Sequence, residues 1–524
     1  MKSSTLYAVI ISLIVALGGF LLGFDSAVIS GATPFYKNYF QLTSGSWLIG
    51  ISVSSIILGA ILGNISAGAL ADRFGRKKIL ILTAALFSFC ALGCGLAHSI
   101  SFFIFARIIG GFGVGMAILI APMYIAEIAP KKLRGRLVTF NQLNIVLGIS
   151  VAFFSNYFIL KNVTDPSLNW RWMLGVGVIP AFLYFILLFF VPNSPRWLII
   201  RNRDEEAKRI IKRVNGEDQV ESVYNEIRES LEKAKDIEQG SWREVFSKNM
   251  KMVMIIGFGI AFFQQITGIN AIFYYAPMIF EMAGGGKDAA FMQAAILGLT
   301  NVAMTLVSMA LIDKLGRRPL LIIGSIGILI SMTLVGGSFM KAKYNLNPQG
   351  ISVVLQDVQK TEYKDQAPII TTGLTAISNK EYTSETAFFI DVKAKIGPAN
   401  YNHFKDSILK NSINIKSILV LIGLLLFVAS FAISLGPVMW TLLSEIFPNK
   451  LRGSAISIVG FWNSIVSFAV TSVFPVQLEF MGNAMTYFIY AIFGFLTLLF
   501  VLKFVPETKG KSLEELESIL VRSH

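Results

Sequence analysis

The chain has 524 residues, of which 54% are hydrophobic and only 15% are charged, whereas an average soluble domain has about 25% charged residues. This composition excludes a soluble globular protein and indicates a membrane protein with several spans. The formal net charge is +14, but the basic residues lie in short clusters between apolar runs, such as RFGRKK (73–78) and KKLRGR (131–136). Such clusters are typical of cytoplasmic loops, so we expect no nucleic acid partner.

Twelve apolar runs are long enough for membrane spans, since a helix needs about 20 apolar residues to cross the hydrocarbon core. We therefore predict an all-α membrane protein. The spans lie near residues 6–31, 45–70, 78–97, 101–126, 136–159, 172–192, 251–282, 289–312, 319–340, 416–444, 453–478 and 483–505. The basic loops after the second and fourth spans predict cytoplasmic termini. Because the first run shows no convincing cleavage site, we expect an uncleaved multi-pass protein of the cell membrane.

The first span contains an acid, Asp25, within the stretch GGFLLGFDSAVISGA. A carboxylate near the middle of hydrocarbon costs about 2.5 to 3.5 kcal/mol on insertion scales, so such residues usually have a function. Arg107 in the fourth span has the same predicted depth, about 9 Å below the outer surface at 1.5 Å per residue. Since arginine stays protonated, a mobile proton in this pair belongs to the carboxyl. We predict that Asp25 and Arg107 form a proton-coupling pair in which the carboxyl gains and loses a proton; the alternative is a permanent ion pair that fixes helix register.

The third span contains both cysteines of the chain, Cys90 and Cys94. Two thiols four residues apart in one apolar segment form neither a metal motif nor a disulfide framework. We interpret them as small packing residues, and we expect no metal site and no cofactor.

Two polar segments interrupt the spans. Within 196–250, the stretches EEAKRIIKRV and YNEIRESLEKA have helical periodicity with opposite charges three or four residues apart, which predicts short amphipathic helices under the membrane domain. The segment 343–415 falls on the outer face by span counting. It contains the strand-like stretches ISVVLQDV and APIITTGL, and we interpret it as an insertion outside the membrane.

Two motifs occur twice in the same order. ADRFGRKK returns as IDKLGRRP, 241 positions later from Asp72 to Asp313, and AEIAPKKLRGR returns as SEIFPNKLRGS, 318 positions later from Glu127 to Glu445. The chain therefore consists of two related six-helix halves, and the difference in offset places the insertion in the second. The predicted units are an N-terminal half (1–195), a cytoplasmic helical linker (196–250), a C-terminal half (251–342 and 416–508), the extracytoplasmic insertion (343–415) and a cytoplasmic tail (509–524). Parallel repeats of six helices are typical of the major facilitator fold, which binds substrate between the halves at mid-membrane.

Seven stretches resemble the sugar porter family of the major facilitator superfamily, including its bacterial sugar:proton symporters and facilitative glucose transporters. They are GFDSAVISG, RIIGGFGVG, PMYIAEIAPKKLRG, VPNSPRW, QQITGINAIFYYAP, GPVMWTLLSEIFPNKLRG and VPETKG. The resemblance covers almost the whole chain apart from 343–415. Asn193 departs from the family, which usually has Glu there, and Ser464 stands where many relatives have Trp. Symporters of the family have Asp at the position of Asp25, whereas facilitators commonly have a neutral amide.

The seventh span contains three amide side chains in an otherwise apolar helix. Amides suit sugar hydroxyls because each offers donors and an acceptor, and Gly268 with Pro277 predicts a bend or break in this helix. The resemblance implies a hydroxyl-binding set of Gln142, Gln264, Gln265, Asn270, Asn301 and Asn463. It also implies an apolar platform and outer gate of Tyr274, Phe431 and Trp440. The alternative for each amide is a hydrogen bond between neighbouring helices, which is common in membrane bundles.

Charged residues at the cytoplasmic ends of the spans occupy matching places in the two halves. The resemblance implies that they form inter-helix salt bridges that close the inner side when the carrier opens outward. The predicted gate consists of Asp72, Arg76, Glu127 and Arg134 in the first half and Asp313, Arg317, Glu445 and Arg452 in the second. A purely topological role for the arginines is the alternative.

The function that these patterns predict is monosaccharide transport, with sugar:proton symport by alternating access as the leading hypothesis. The expected partners are a hexose or pentose, a proton and the lipid bilayer, and the expected functional unit is a monomer. A facilitative uniporter is the nearest alternative, and a sugar receptor without transport is a weaker one. We do not expect an enzyme, since the spans contain no nucleophile–base pair.

Overall fold

A bundle of long apolar helices forms most of the protein. The computed structural model describes residues 3–43, 45–130, 133–236, 242–359, 362–448, 450–511 and 515–516. Within these residues, eleven segments are long and apolar enough to cross a membrane. Most of the predicted tail (509–524) lies outside the described residues.

The N-terminal half contains seven helices. They are α1 (Ser3–Tyr39), α2 (Trp47–Phe74), α3 (Arg76–Gly95), α4 (Ile100–Ile128), α5 (Arg134–Asn162), α6 (Pro166–Gly175) and α7 (Val178–Phe189). Helices α6 and α7 together form one apolar segment. The linker is helical, as predicted, with α8 (Pro195–Ile200), α9 (Asp204–Asn215), α10 (Val220–Asp236) and α11 (Trp242–Val245).

The C-terminal half has more interruptions than the first. Its helices are α12 (Lys251–Ile266), α13 (Ile269–Met282), α14 (Lys287–Leu315), α15 (Arg317–Met340), α20 (Ser417–Ile433), α21 (Leu435–Ile446) and α22 (Arg452–Phe504). The predicted break at Gly268 is confirmed, because this residue has left-handed dihedrals (φ 93°, ψ 15°) between α12 and α13. A second break at Ser434 separates α20 from α21.

Helix α22 contains a non-helical residue. Its 53 residues include Gly482 at φ 74° and ψ 171°. A continuous helix of this length would measure about 80 Å, more than twice the hydrocarbon thickness of about 30 Å. Gly482 therefore divides α22 into two helical stretches.

The sequence repeat is also a repeat of local structure. Gly75 (φ 89°) joins α2 to α3, and Gly316 (φ 95°) joins α14 to α15. The next residue in each half pairs with an aspartate four positions earlier, Arg76 with Asp72 at 3.1 Å and Arg317 with Asp313 at 3.2 Å. Only glycine adopts such dihedrals without steric penalty, which explains its place in both copies of the motif.

Glycines bring α2 and α4 into backbone contact. A Cβ atom added at Gly59 or Gly63 would lie 2.0 or 2.1 Å from a carbonyl oxygen of α4, and one added at Gly111 or Gly115 would lie 2.1 or 2.0 Å from a carbonyl oxygen of α2. Both pairs have four-residue spacing, the pattern that lets membrane helices approach closely. Contacts between the halves run mainly through α2 with α22, α5 with α14 and α1 with α13.

The insertion is a small helical domain with its own hydrophobic core. It contains β1 (Lys343–Tyr344), α16 (Pro348–Gln359), α17 (Ala367–Thr375), α18 (Glu385–Ile396), α19 (Pro398–Ser412) and β2 (Ile413–Asn414). The two short strands pair antiparallel, with Lys343 opposite Asn414.

The strand-like reading of ISVVLQDV and APIITTGL is wrong, because these stretches lie in α16 and α17. Ile351, Val354 and Val358 are the buried residues of α16 apart from one glycine. Their spacing of three and four residues is helical, and it overrides the strand propensity of β-branched side chains.

Candidate functional site

Asp25 and Arg107 meet inside the N-terminal half, as their predicted depths required. Arg107 Nη1 donates to Asp25 Oδ2 at 3.0 Å, and Nη2 donates to the Val53 carbonyl oxygen at 3.2 Å. The arginine side chain is fully buried, and the carboxylate side chain is 15% exposed. One guanidinium therefore joins α1, α2 and α4.

Tyr274 of α13 brings the other half to this ion pair. It is buried, it interacts with Ser26 of α1, and it lies within electrostatic range of Asp25 and Arg107. The ion pair thus belongs to the first half, while one of its neighbours belongs to the second. A change of charge on the carboxyl would therefore alter the electrostatic interaction with Tyr274 at the interface between the halves.

Four of the predicted amides form one hydrogen-bonded network around the break at Gly268. Gln265 Nε2 donates to Asn463 Oδ1 at 3.1 Å and to Gln264 Oε1 at 3.2 Å, and Asn463 Nδ2 donates to Gln264 Oε1 at 2.9 Å. Asn270 Nδ2 donates to Gln265 Oε1 at 2.8 Å and to Ser467 Oγ at 2.6 Å. The network joins α12 and α13 to α22.

The break in α20–α21 contributes a further partner to the network. Gln264 Nε2 donates to the carbonyl oxygen of Leu435 at 2.9 Å, and Leu435 directly follows the non-helical Ser434. Polar side chains so deep in a bundle need partners, and here they satisfy one another. Each amide offers both donors and an acceptor, the groups that pair with hydroxyls.

A cavity of about 1470 Å³ separates the two halves. Its lining includes Gln142 of α5, Trp440 of α21 and Asp313 of the second repeated basic motif. Trp440 is 43% exposed, so its ring faces open space. The cavity therefore connects the level of Trp440 with the end of the bundle that has the basic motifs.

The opposite end of the bundle is closed by direct contact between the halves. Ser54, near the start of α2, hydrogen-bonds Ser472 of α22 at 2.6 Å between the two Oγ atoms. A Cβ added at Gly50 would lie 2.0 Å from the carbonyl oxygen of Ser472. The two halves touch through backbone here, which leaves no passage between α2 and α22.

The predicted gate residues divide into two groups. Arg76 pairs with Glu127 at 3.2 Å, and Arg317 pairs with Glu445 at 2.7 Å. Both pairs lie within a half. Arg134 is exposed and makes no ion pair with any described residue, and Arg452 donates to the Phe447 carbonyl oxygen at 3.2 Å. Among the described residues, neither arginine forms the predicted inter-helix salt bridge in this structure, in which the halves are apart on the motif side.

The other predicted site residues lie close to these features. Asn301 is buried on α14, one turn before Thr305, which lines the cavity. Phe431 lies in the last turn of α20, next to Gly436. The sequence analysis missed Ser467, although its position one turn after Asn463 places both on one face of α22. It also missed the thiol of Cys90, 3.9 Å from Asp25 Oδ1.

The chain matches the family model described as "Sugar (and other) transporter" over residues 11–355 and 404–520. The unmatched interval lies inside the insertion. Among curated proteins, the arabinose-proton symporter of Bacillus subtilis is 34% identical to this chain, and the alignment covers 98% of this chain and 96% of the relative. The chain is 33% identical to the D-xylose-proton symporter of Escherichia coli, with 98% and 96% covered.

Solved structures of the xylose transporter XylE from E. coli have the same fold. An inward-open structure matches with a TM-score of 0.75 at 32% identity, covering 98% of this chain and 100% of that one. A structure bound to 6-bromo-6-deoxy-D-glucose matches with a TM-score of 0.67 at 33% identity, covering 99% and 100%.

Proposed function

Because the chain belongs to the sugar transporter family, we propose that it moves a monosaccharide across a cell membrane together with a proton, by alternating access. Two relatives that align over nearly their whole length are named as proton symporters, one for arabinose and one for xylose. The observation that carries the proposal is the buried ion pair of Asp25 and Arg107, since a facilitator has no need of an acid at this depth.

The proposed topology has twelve crossings, both termini in the cytoplasm and a monomer as the working unit. The break at Gly482 supports a division of α22 into the eleventh and twelfth spans. In this orientation the cavity faces inward, and the contact of Gly50 with Ser472 closes the outside. The structure then represents the inward-facing state of the cycle.

In the proposed mechanism, protonation of Asp25 removes the charge that holds Arg107 Nη1. The guanidinium keeps its bond to Val53, so α4 and α2 stay together while α1 is released. Because Tyr274 of the second half lies beside the pair, the change reaches the interface on which the halves rock. A carrier needs such a link, since the proton and the sugar must favour the same state.

The sugar is proposed to bind at the amide network, between Gln142 and Trp440 on the cavity side and the buried amides of α12 and α22. Its hydroxyls would replace the bonds that the amides now make with one another, and the indole would cover a C–H face. We propose Asn301, Tyr274 and Phe431 as further contacts when the site closes.

Uptake of labelled pentoses and hexoses into reconstituted vesicles, with and without an imposed pH gradient, tests the proposal. We expect accumulation against a sugar gradient in the native protein. Asp25→Asn should abolish it and keep counterflow exchange, because the amide cannot release a proton. Asp218→Asn, an exposed aspartate of the linker, is the matched control and should behave as the native protein. Equal accumulation by Asp25→Asn and the native protein would show that Asp25 is not the coupling acid, whereas equilibration without accumulation in both would leave a uniporter.

A further inference from the structure

The two oxygens of Asp25 have different neighbours. Oδ2 accepts from Arg107 Nη1 at 3.0 Å, whereas Oδ1 faces the Sγ atom of Cys90 at 3.9 Å. The titratable or charged groups that act on this carboxyl, among the described residues, are Arg107 on α4, Cys90 on α3 and Tyr274 on α13. Cys94, one turn further along α3, lies 4.0 Å from the Cys90 sulfur. Each oxygen of the carboxyl therefore has its own partner.

The position of Cys90 is fixed by packing. The residue is 1% exposed, and it fills the space opposite Gly110 of α4, where an added Cβ would lie 2.4 Å from the Cys90 Sγ atom. Gly110 follows Arg107 by three residues, so the same face of α4 holds the cation and receives the thiol. Packing against Gly110 of α4 thus keeps the Cys90 sulfur next to Oδ1 of Asp25.

A thiol can serve the carboxyl in both of its protonation states, because it is a weak donor and a weak acceptor. When Asp25 is ionised, the S–H group donates to Oδ1. When a proton arrives, Oδ2 still faces a guanidinium that can only donate, so the proton resides on Oδ1 and the O–H group donates to sulfur. Rotation about the Cβ–Sγ bond is the only movement that this exchange requires.

We propose that Cys90 is a positioning residue for the proton-coupling carboxyl, holding Oδ1 of Asp25 in both protonation states. The inference rests on the proposed function. Alanine at this position leaves Oδ1 without a partner on α3, whereas serine supplies a stronger donor and acceptor of similar size.

The test is the pH profile of gradient-driven uptake in Cys90→Ser and Cys90→Ala vesicles. Because the hydrogen bond to the ionised carboxyl is the stronger of the two, we expect the pH of half-maximal uptake to rise in Cys90→Ala and to fall in Cys90→Ser. Each shift should be about half a unit, the size that corresponds to one weak hydrogen bond. Cys94→Ala removes an equally buried thiol from the same helix and should keep the native profile. Melting temperatures of all variants report folding, and the serine variant alone decides the question if the alanine variant does not fold.

Two results would overturn the inference: native pH profiles in both Cys90 variants, or the same shift in Cys94→Ala as in Cys90→Ala. The second would show that packing of α3, and not the contact with Oδ1, sets the profile. These results differ from the result that would contradict the proposed function. In that case the native protein itself would show no accumulation driven by a pH gradient.

Discussion

In the proposed site, single amides of the network serve both stability and sugar recognition. Gln265 donates to Asn463 and Gln264, and it accepts from Asn270. We expect Gln265→Ala to weaken sugar binding about tenfold, because a hydrogen bond left unmade at a buried site costs roughly 1 to 3 kcal/mol. Binding of labelled sugar to the purified protein measures the effect.

A buried amide outside the network provides the control for this prediction. Asn156 of α5 donates to the carbonyl oxygen of Val28 at 3.1 Å and does not line the cavity. Asn156→Ala should lower the melting temperature and leave sugar affinity within about twofold of the native value. An equal loss of affinity in both variants would mean that the amides of α12 act only through stability.

The sequence was sufficient to predict ion pairs whose members share a depth in the membrane or belong to a repeated motif. Asp25 and Arg107 met because helix rise placed both at one level. The ion pairs of Arg76 in the first half and of Arg317 in the second followed from the duplicated motif. Depth does not give the rotation of a helix about its axis. Therefore Cys90, which faces Asp25 only because α3 turns that side inward, was interpreted as packing.

In the proposed topology, helix α2 closes the outside through a glycine. Gly50 lies against the Ser472 carbonyl oxygen so closely that a Cβ would overlap it at 2.0 Å. We expect Gly50→Ala to disfavour this state and to shift the population toward the outward-open form. Labelling of a cysteine placed at the cavity residue Met309 should slow several-fold when the thiol reagent is added from the cytoplasmic side.

Gly68 provides a matched control on the same helix, since no atom lies within 4 Å of a Cβ added there. Gly68→Ala should keep the native labelling rate. Unchanged labelling in Gly50→Ala would indicate that α2 and α22 separate without altering the cavity.

Elements outside the membrane were harder to predict than the spans. A span must be predominantly apolar over about 20 residues, and this requirement makes spans recognisable in the sequence. Helices α16 and α17, in contrast, are short and rich in β-branched residues. Their helical state depends on burial of one face in the core of the insertion. Tertiary packing of this kind is not visible in a single stretch of sequence.

The insertion connects the two halves at the end of the bundle that faces outward in the proposed topology. Its helix α19 contacts the second half through Lys405 with Glu479 at 2.7 Å and Lys410 with Glu281 at 3.5 Å. The same helix contacts the first half through an ion pair between Asp406 and Lys37 of α1. Since this pair spans the halves, it favours the state in which the outside is closed.

We expect Asp406→Asn to shift the population toward the outward-open state by about two- to fivefold, because a partly exposed ion pair contributes up to about 1 kcal/mol. Labelling of single cysteines from either side measures the shift, and high salt should reduce it.

Glu381→Gln is the control for this pair. It removes an ion pair of 2.7 Å with Lys343 that lies wholly within the insertion, so it should leave the distribution of states unchanged. A shift of equal size in both variants would contradict a role of Asp406 in joining the halves.

The paired strands at the base of the insertion have a practical consequence. Because Lys343 lies opposite Asn414, the polypeptide leaves the bundle and returns to it at neighbouring points, about 5 Å apart. A compact unit attached in this way can be excised and its ends rejoined by a short turn, or exchanged for a reporter protein whose termini are equally close. The native chain thus offers a ready grafting point, on the outer face in the proposed topology.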